Sequence, residues 1–152
     1  MSFDPRTIAP QVWHRDGYTL TTDRTQLDID RVLGFLTQDS YWASTMTRAR
    51  LERALDASLP MVIHDPSGAF AGFGRLVTDY ATFAYLRDVF ILRDHRGKGL
   101  ASWLAVVIRT HPELTQVTNW LLFTRDAQGI YERAGFRPVP YPDGYMKVPP
   151  TA

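Results

Sequence analysis

The chain has 152 residues, 45% of them hydrophobic and 22% charged, which is the balance of one folded domain with one core. Its formal net charge of +1 gives no electrostatic footprint for nucleic acid or an anionic membrane, and the absence of cysteine excludes a disulfide framework, a thiolate metal site and a cysteine nucleophile. No apolar run approaches the roughly 18 residues of a membrane span, and the start, Met-Ser-Phe-Asp-Pro-Arg, lacks the basic-then-apolar order of a secretory signal. A single domain over residues 1–152 in a reducing cytoplasm is therefore expected.

In chain order, Tyr18 to Thr22 is β-prone and reads as a first strand. Leu27, Val32, Leu33 and Leu36 recur near a helical period. Met46 to Leu55 reads as a second helix, with Thr45 or Thr47 as its cap. Leu59 to His64 is a short strand, and Asp65-Pro66-Ser67-Gly68 carries turn chemistry. Ala69 to Thr78 returns antiparallel, and a break at Asp79 to Thr82 leads into a strand over Phe83 to Ile91. Leu100, Trp103, Leu104, Val107 and Ile108 mark a third helix, closed by His111-Pro112. Trp120 to Thr124 is a strand, and Asp126 to Ala134 a short helix ending at Gly135. Phe136 to Val139 and Tyr145 to Val148 read as two final strands joined through Pro142-Asp143-Gly144. The order defines a mixed α/β sheet with helices on its faces.

The most informative stretch runs from Val89 to Ala101, where an apolar strand enters a basic, glycine-bearing loop that opens an amphipathic helix. Helix N-termini present unpaired N–H groups and partial positive charge to phosphate. Gly97 and Gly99 let the backbone wrap a pyrophosphate, and Arg96 and Lys98 add counter-charge. Neither a Walker loop nor a dinucleotide fingerprint fits, since Gly99 is followed three residues later by Ser102.

What fits is Arg/Gln-x-x-Gly-x-Gly/Ala, met by Arg96, Gly99 and Ala101. With the later block Thr124 to Phe136, which contains Tyr131-Glu132-Arg133-Ala134-Gly135-Phe136, the chain resembles the GNAT superfamily of acetyltransferases. The resemblance implies a twisted, largely antiparallel sheet whose fourth and fifth strands, Phe83 to Ile91 and Trp120 to Thr124, run parallel and splay apart. It implies acetyl-CoA as cosubstrate, with no metal. Phe90, Ile91 and Arg93 would meet the pantetheine arm, and a backbone N–H near Val89 or Phe90 would polarise the thioester carbonyl. Arg96, Gly97, Lys98, Gly99, Leu100, Ala101 and Ser102 would hold the pyrophosphate. Thr124 stands where many members carry Asn and would touch the coenzyme arm through its hydroxyl.

Tyr131 matches the family tyrosine that faces the coenzyme sulfur and is the candidate acid for the leaving thiolate. Asp88 is the candidate base or amine anchor, because strand alternation puts it on one face with Leu86 and Phe90, where an acid is costly unless paired or functional. Its structural alternative is an ion pair with Arg75, which is itself a candidate for the acceptor side. The segment around Asp88 is similar to one in diamine acetyltransferases, but Arg87 stands where those often carry a second acid. Asp79, Tyr80 and Tyr85 near the hairpin, and Tyr41 and Trp42 after the first helix, are candidates for the acceptor pocket. The expected partner is a small-molecule amine, with no nucleic acid or membrane, and a homodimer through C-terminal strands is an expectation from the family. Acetylation of a protein or peptide, and a non-catalytic acyl-CoA sensor, stay open as alternatives.

Overall fold

A computed structural model describes residues 2–150. Six strands form one sheet in the order β1-β2-β3-β4-β5-β6: Val12–Arg15, Tyr18–Thr21, Leu59–His64, Phe70–Thr78, Phe83–Ile91 and Asn119–Leu122. Neighbours are antiparallel except β5 and β6, which are parallel. The helices are α1 (Ile29–Gln38), α2 (Arg48–Asp56), α3 (Leu100–Val107) and α4 (Gln128–Arg133). No helix among the described residues is long and apolar enough to cross a membrane.

Two clusters bury the two faces of the sheet. On one face α1 and α2 present Val32, Leu36, Leu51 and Leu55 at i, i+4 spacing to Val62, Phe73 and Phe90. Phe90 stacks on Phe35 of α1 with centroids 3.8 Å apart. On the other face α3 packs Leu100, Trp103, Leu104 and Ala105 against Met61, Leu76, Ala84 and Leu86. Burying each such large apolar side chain contributes about 1.5–3 kcal/mol. Side-chain oxygens fix the helix starts. Asp28 accepts from the Arg31 N–H at α1, and Thr47, the second of the two expected caps, accepts from the Arg50 N–H at α2.

Three features differ from the sequence expectation. First, the splayed parallel strands are the fifth and sixth, because β1 precedes the expected first strand. β1 pairs with β2 across Asp16-Gly17, both at positive φ (52° and 83°), the conformation a two-residue hairpin turn requires. Second, neither Phe136 to Val139 nor Tyr145 to Val148 is a strand. Pro138, Pro140 and Pro142 supply no backbone donors, so this segment cannot continue a ladder. It runs irregularly with Tyr141 79% and Met146 96% exposed, and β6 keeps an open edge beside a groove of about 560 Å³. A homodimer through C-terminal strands has no such strands to use among the described residues.

Third, β5 does not alternate regularly. Phe73 pairs with Phe90 and Arg75 with Arg87, so Asp88 and Val89 together oppose Gly74 alone. This is a β-bulge, and Asp88 takes φ +54°, a conformation uncommon outside glycine but best tolerated by Asp and Asn. The phase of the strand flips there. Leu86 and Val89 pack with the α3 cluster, while Phe90 packs with α1 and α2, so Leu86 and Phe90 do not share the face that alternation assigned them.

One buried polar group makes stability pH-dependent. His111 is fully buried, its Nδ1 accepts from the Glu113 N–H, and burial lowers its pKa. It folds neutral, so stability is full above the ordinary histidine pKa of about 6.5 and is lost as pH falls below it. The urea midpoint is expected to be lower at pH 5 than at pH 7.5. His111→Asn, which keeps an acceptor for Glu113, is expected to flatten that difference.

Candidate active site

The β5–β6 ladder pairs Phe83 to Leu86 with Asn119 to Leu122 and stops. Beyond Leu86, β5 has no neighbour on that side, and at Asp88 and Val89 the bulge removes the β4 partner as well. The parting strands open a cleft of about 180 Å³. Tyr85 to Val89 of β5 line one wall, Leu122 to Thr124 and Tyr131 the other, and Tyr41 and Trp42 of the α1–α2 loop complete the lining.

One end of the arrangement is the glycine loop. Gly97 and Gly99 take φ +79° and +73°, and Gly99 caps α3 without a side-chain bond. The first N–H groups of α3 thus have no side-chain cap, and exposed Arg93, Arg96 and Lys98 lie in the loop that leads into them. Arg96 is tied back, its Nε donating to the Ile91 carbonyl at 2.9 Å. Leu100 is a core residue, so its contribution to a ligand is its backbone. Ser102 Oγ donates to the Gly99 carbonyl. A side chain at Gly97 would enter open space, which leaves room for a phosphate group. These donors and this space fit a pyrophosphate.

Two supports of the loop were not anticipated. Arg15 of β1 donates to the Lys98 carbonyl and lies over the Trp103 ring at 5.5 Å. His95 Nδ1 pairs with the Tyr18 hydroxyl at 2.8 Å, and its Nε2 lies 3.8 Å from Asp65. Neither Arg15 nor Tyr18 carries a motif, and both are brought to the loop only by the pairing of distant strands.

At the cleft itself, both carboxylate oxygens of Asp88 are engaged. Its Oδ2 accepts from Arg75 Nε at 2.6 Å and its Oδ1 from Trp42 Nε1 at 2.8 Å, with side chains 2% and 9% exposed for Asp88 and Arg75. The ion-pair alternative is what forms, and Arg75 lies behind the cleft wall. Phe90 turns its ring into the α1–α2 core and its backbone pairs with Phe73 of β4, so it is not among the residues that line the cleft. Thr124 Oγ1 accepts from the Ala127 N–H at 3.0 Å, leaving its own proton to give.

Tyr131 stands between the cleft and the groove beside β6, with its ring edge-on to Phe136 at 6.2 Å. Burial, then the neighbouring Tyr41, pushes its phenol up to about 12. The neutral phenol's stabilising contribution is complete below the ordinary value of about 10 and lost as pH rises towards 12. Tyr131 therefore carries its proton throughout the neutral range.

Asp79 and Tyr80 are not brought to the cleft. The Asp79 carboxylate accepts from the Thr82 hydroxyl and from the N–H groups of Ala81, Thr82 and Phe83, which holds its pKa far down and closes the β4–β5 turn. Tyr80 packs on Phe3 at 5.1 Å. Tyr41, Trp42 and Tyr85 do line the cleft.

Residues 57–138 match the family model for the acetyltransferase (GNAT) domain, more than half of the chain. The chain is 39% identical to a candidate GNAT-family acetyltransferase of known structure from Xanthomonas campestris, covering 86% of this chain and 92% of that one, with a TM-score of 0.80. It is 28% identical over 144 residues to the candidate acetyltransferase FG08082 of Gibberella zeae, 80% of each chain. A spermidine N-acetyltransferase from Vibrio cholerae, solved with CoA and spermine, shares the fold at TM-score 0.60 and 17% identity, over 80% of this chain and 81% of that one. The protein belongs to the GNAT acetyltransferases, and its sheet, parting at β5 and β6, is the fold of that family.

Proposed function

We propose that this acetyltransferase moves the acetyl group of acetyl-CoA to a primary amine of a small molecule, by direct attack within a ternary complex. The observation that carries the proposal is the doubly unpaired backbone of Asp88 and Val89, set between the glycine loop and Tyr131. A thioester arm can pair along that backbone as an added strand, with its pyrophosphate on the α3 N-terminus.

Holding amine and thioester together converts an encounter into a near-attack arrangement. The amine nitrogen bonds to the carbonyl carbon, and the carbon–sulfur bond breaks. Tyr131, neutral across the working range, gives its hydrogen bond or proton to the departing thiolate. Asp88 acts through Trp42 as a positioning residue, since both of its oxygens are engaged. The amine's proton leaves to water at the open mouth. The small volume of the cleft, about 180 Å³, and its cover by Tyr41 and Trp42 support a small acceptor over a protein chain.

The test is release of free coenzyme thiol from acetyl-CoA across a panel of primary amines, with the N-acetyl product identified by mass. Thiol release that depends on the amine supports the reading, and its absence across the panel, with the coenzyme bound, contradicts it. Binding is checked separately. Gly99→Val places a β-branched residue at φ +73° with its Cβ 3.3 Å from the Arg15 guanidinium. It is expected to weaken acetyl-CoA binding by about five- to hundred-fold in calorimetry, following a strain of roughly 1–3 kcal/mol at the loop.

A further inference from the structure

The charge around the acceptor end of the cleft does not balance. Arg75 and Arg87 stand directly opposite each other on β4 and β5, and the bulge turns Asp88 to the same side. One carboxylate thus serves two guanidiniums, and Arg75 takes it, at 2.6 Å. The only other acid lining the cleft, Asp126, is exposed and lies 4.0 Å from Arg125. Arg87 is exposed in the cleft wall, forms no ion pair among the described residues, and has its guanidinium 5.7 Å from the centre of the Tyr85 ring. The same cleft is lined by Tyr41, Trp42 and Tyr85, aromatic surface suited to an apolar or aromatic body, with one face of Tyr41 covered by the Arg125 guanidinium at 3.7 Å.

We infer that the acceptor is an amine that also carries an anionic group, a carboxylate or phosphate, on an apolar or aromatic body, with Arg87 holding the anion. The inference rests on the acetyltransferase reading above and narrows its substrate. A guanidinium fork binds carboxylate or phosphate through two parallel hydrogen bonds, and the flat aromatic walls take the rest of the molecule. A polyamine brings a second cation to a wall where Arg75 already holds the Asp88 carboxylate, and there it meets Arg87 as like charge. Arg87 is a specificity residue here and plays no part in the proton transfers.

The experiment compares matched amines with the full chain: L-phenylalanine with phenethylamine, O-phosphoethanolamine with ethanolamine, and spermidine. A charge-assisted bidentate contact predicts kcat/KM about ten- to hundred-fold higher for the anionic member of a pair, carried mainly by KM. A preference within the phenylalanine pair identifies the carboxylate as the anion, and one within the ethanolamine pair identifies the phosphate. Arg87→Ala is expected to collapse the ratio, Arg87→Lys to restore part of it, and Arg87→Glu to invert it in favour of phenethylamine and spermidine. Preference of the unmodified protein for phenethylamine, ethanolamine or spermidine overturns the inference, as does failure to turn over either anionic amine. Calorimetry with acetyl-CoA alone separates the two levels. If the coenzyme does not bind, the acetyltransferase reading fails with the inference. If it binds and the amines without an anionic group are preferred, only the inference fails.

Discussion

Asp88→Ala is expected to destabilise the fold by about 3–5 kcal/mol, read as a lowered urea midpoint with unchanged slope. Removing the carboxylate leaves the Arg75 guanidinium in a side chain only 9% exposed, facing Arg87 across the ladder with nothing between them. A buried charge stripped of its partner costs far more than the intact pair contributed. The same change frees the Trp42 indole N–H, so the α1–α2 loop loses its tie to β5. Asp88→Asn is the finer probe. Asn tolerates the +54° backbone and keeps an acceptor for Trp42, so it separates loss of charge from loss of shape. If Asp88 acts through position, Asn retains more of the activity than Ala does, and its effect is similar for strongly and weakly basic amines. A selective loss for amines of high pKa would instead make Asp88 the base.

Tyr131→Phe is expected to lower kcat by roughly ten- to several-hundred-fold, the range for one positioned acid, while the affinity for acetyl-CoA changes little. The ring still packs against Phe136, so the fold is retained and only the hydroxyl is lost. The pH profile adds a second check. Burial and Tyr41 hold the phenol's proton up to about pH 12. No basic limb below about pH 10 therefore belongs to Tyr131, and any such limb in the unmodified protein is expected to persist in Tyr131→Phe. A limb that vanishes with the hydroxyl, or full turnover without it, would remove Tyr131 from the role of acid.

What was legible in the sequence was local. Arg96, Gly97, Lys98 and Gly99 form a loop whose backbone freedom and charge are set by residue type, and the structure has both glycines at positive φ with the helix opening at Gly99. Tyr131 was readable because its block is contiguous. The hairpin before the first expected strand was readable too: Asp16-Gly17 is a strong turn signal, masked by a β1 strand too exposed to show a hydrophobic pattern. The C-terminal strands were over-read from β-prone residues, when three prolines at alternate positions argued against a ladder. The bulge was not legible at all. Nothing in Arg87-Asp88-Val89 announces a positive φ at Asp88, yet that one torsion reverses the strand's faces and opens its backbone. It also joins Asp88 to Arg75 and Trp42, which are 13 and 46 residues away. Contacts of that kind depend on pairing across the sheet, so the sequence offers Asp88 both as a base or amine anchor and as a partner of Arg75, and only the fold shows both of its oxygens bonded.

The central claim is acetyl transfer to an amine at the parting of β5 and β6, and initial-rate kinetics with varied acetyl-CoA and varied acceptor test it most directly. The predicted result is N-acetylated amine formed in step with free coenzyme, double-reciprocal lines that intersect, and a protein whose intact mass shows no added acetyl group. Acetyl-CoA that binds the glycine loop but passes its acetyl group to no amine would contradict the claim and leave a coenzyme-binding module.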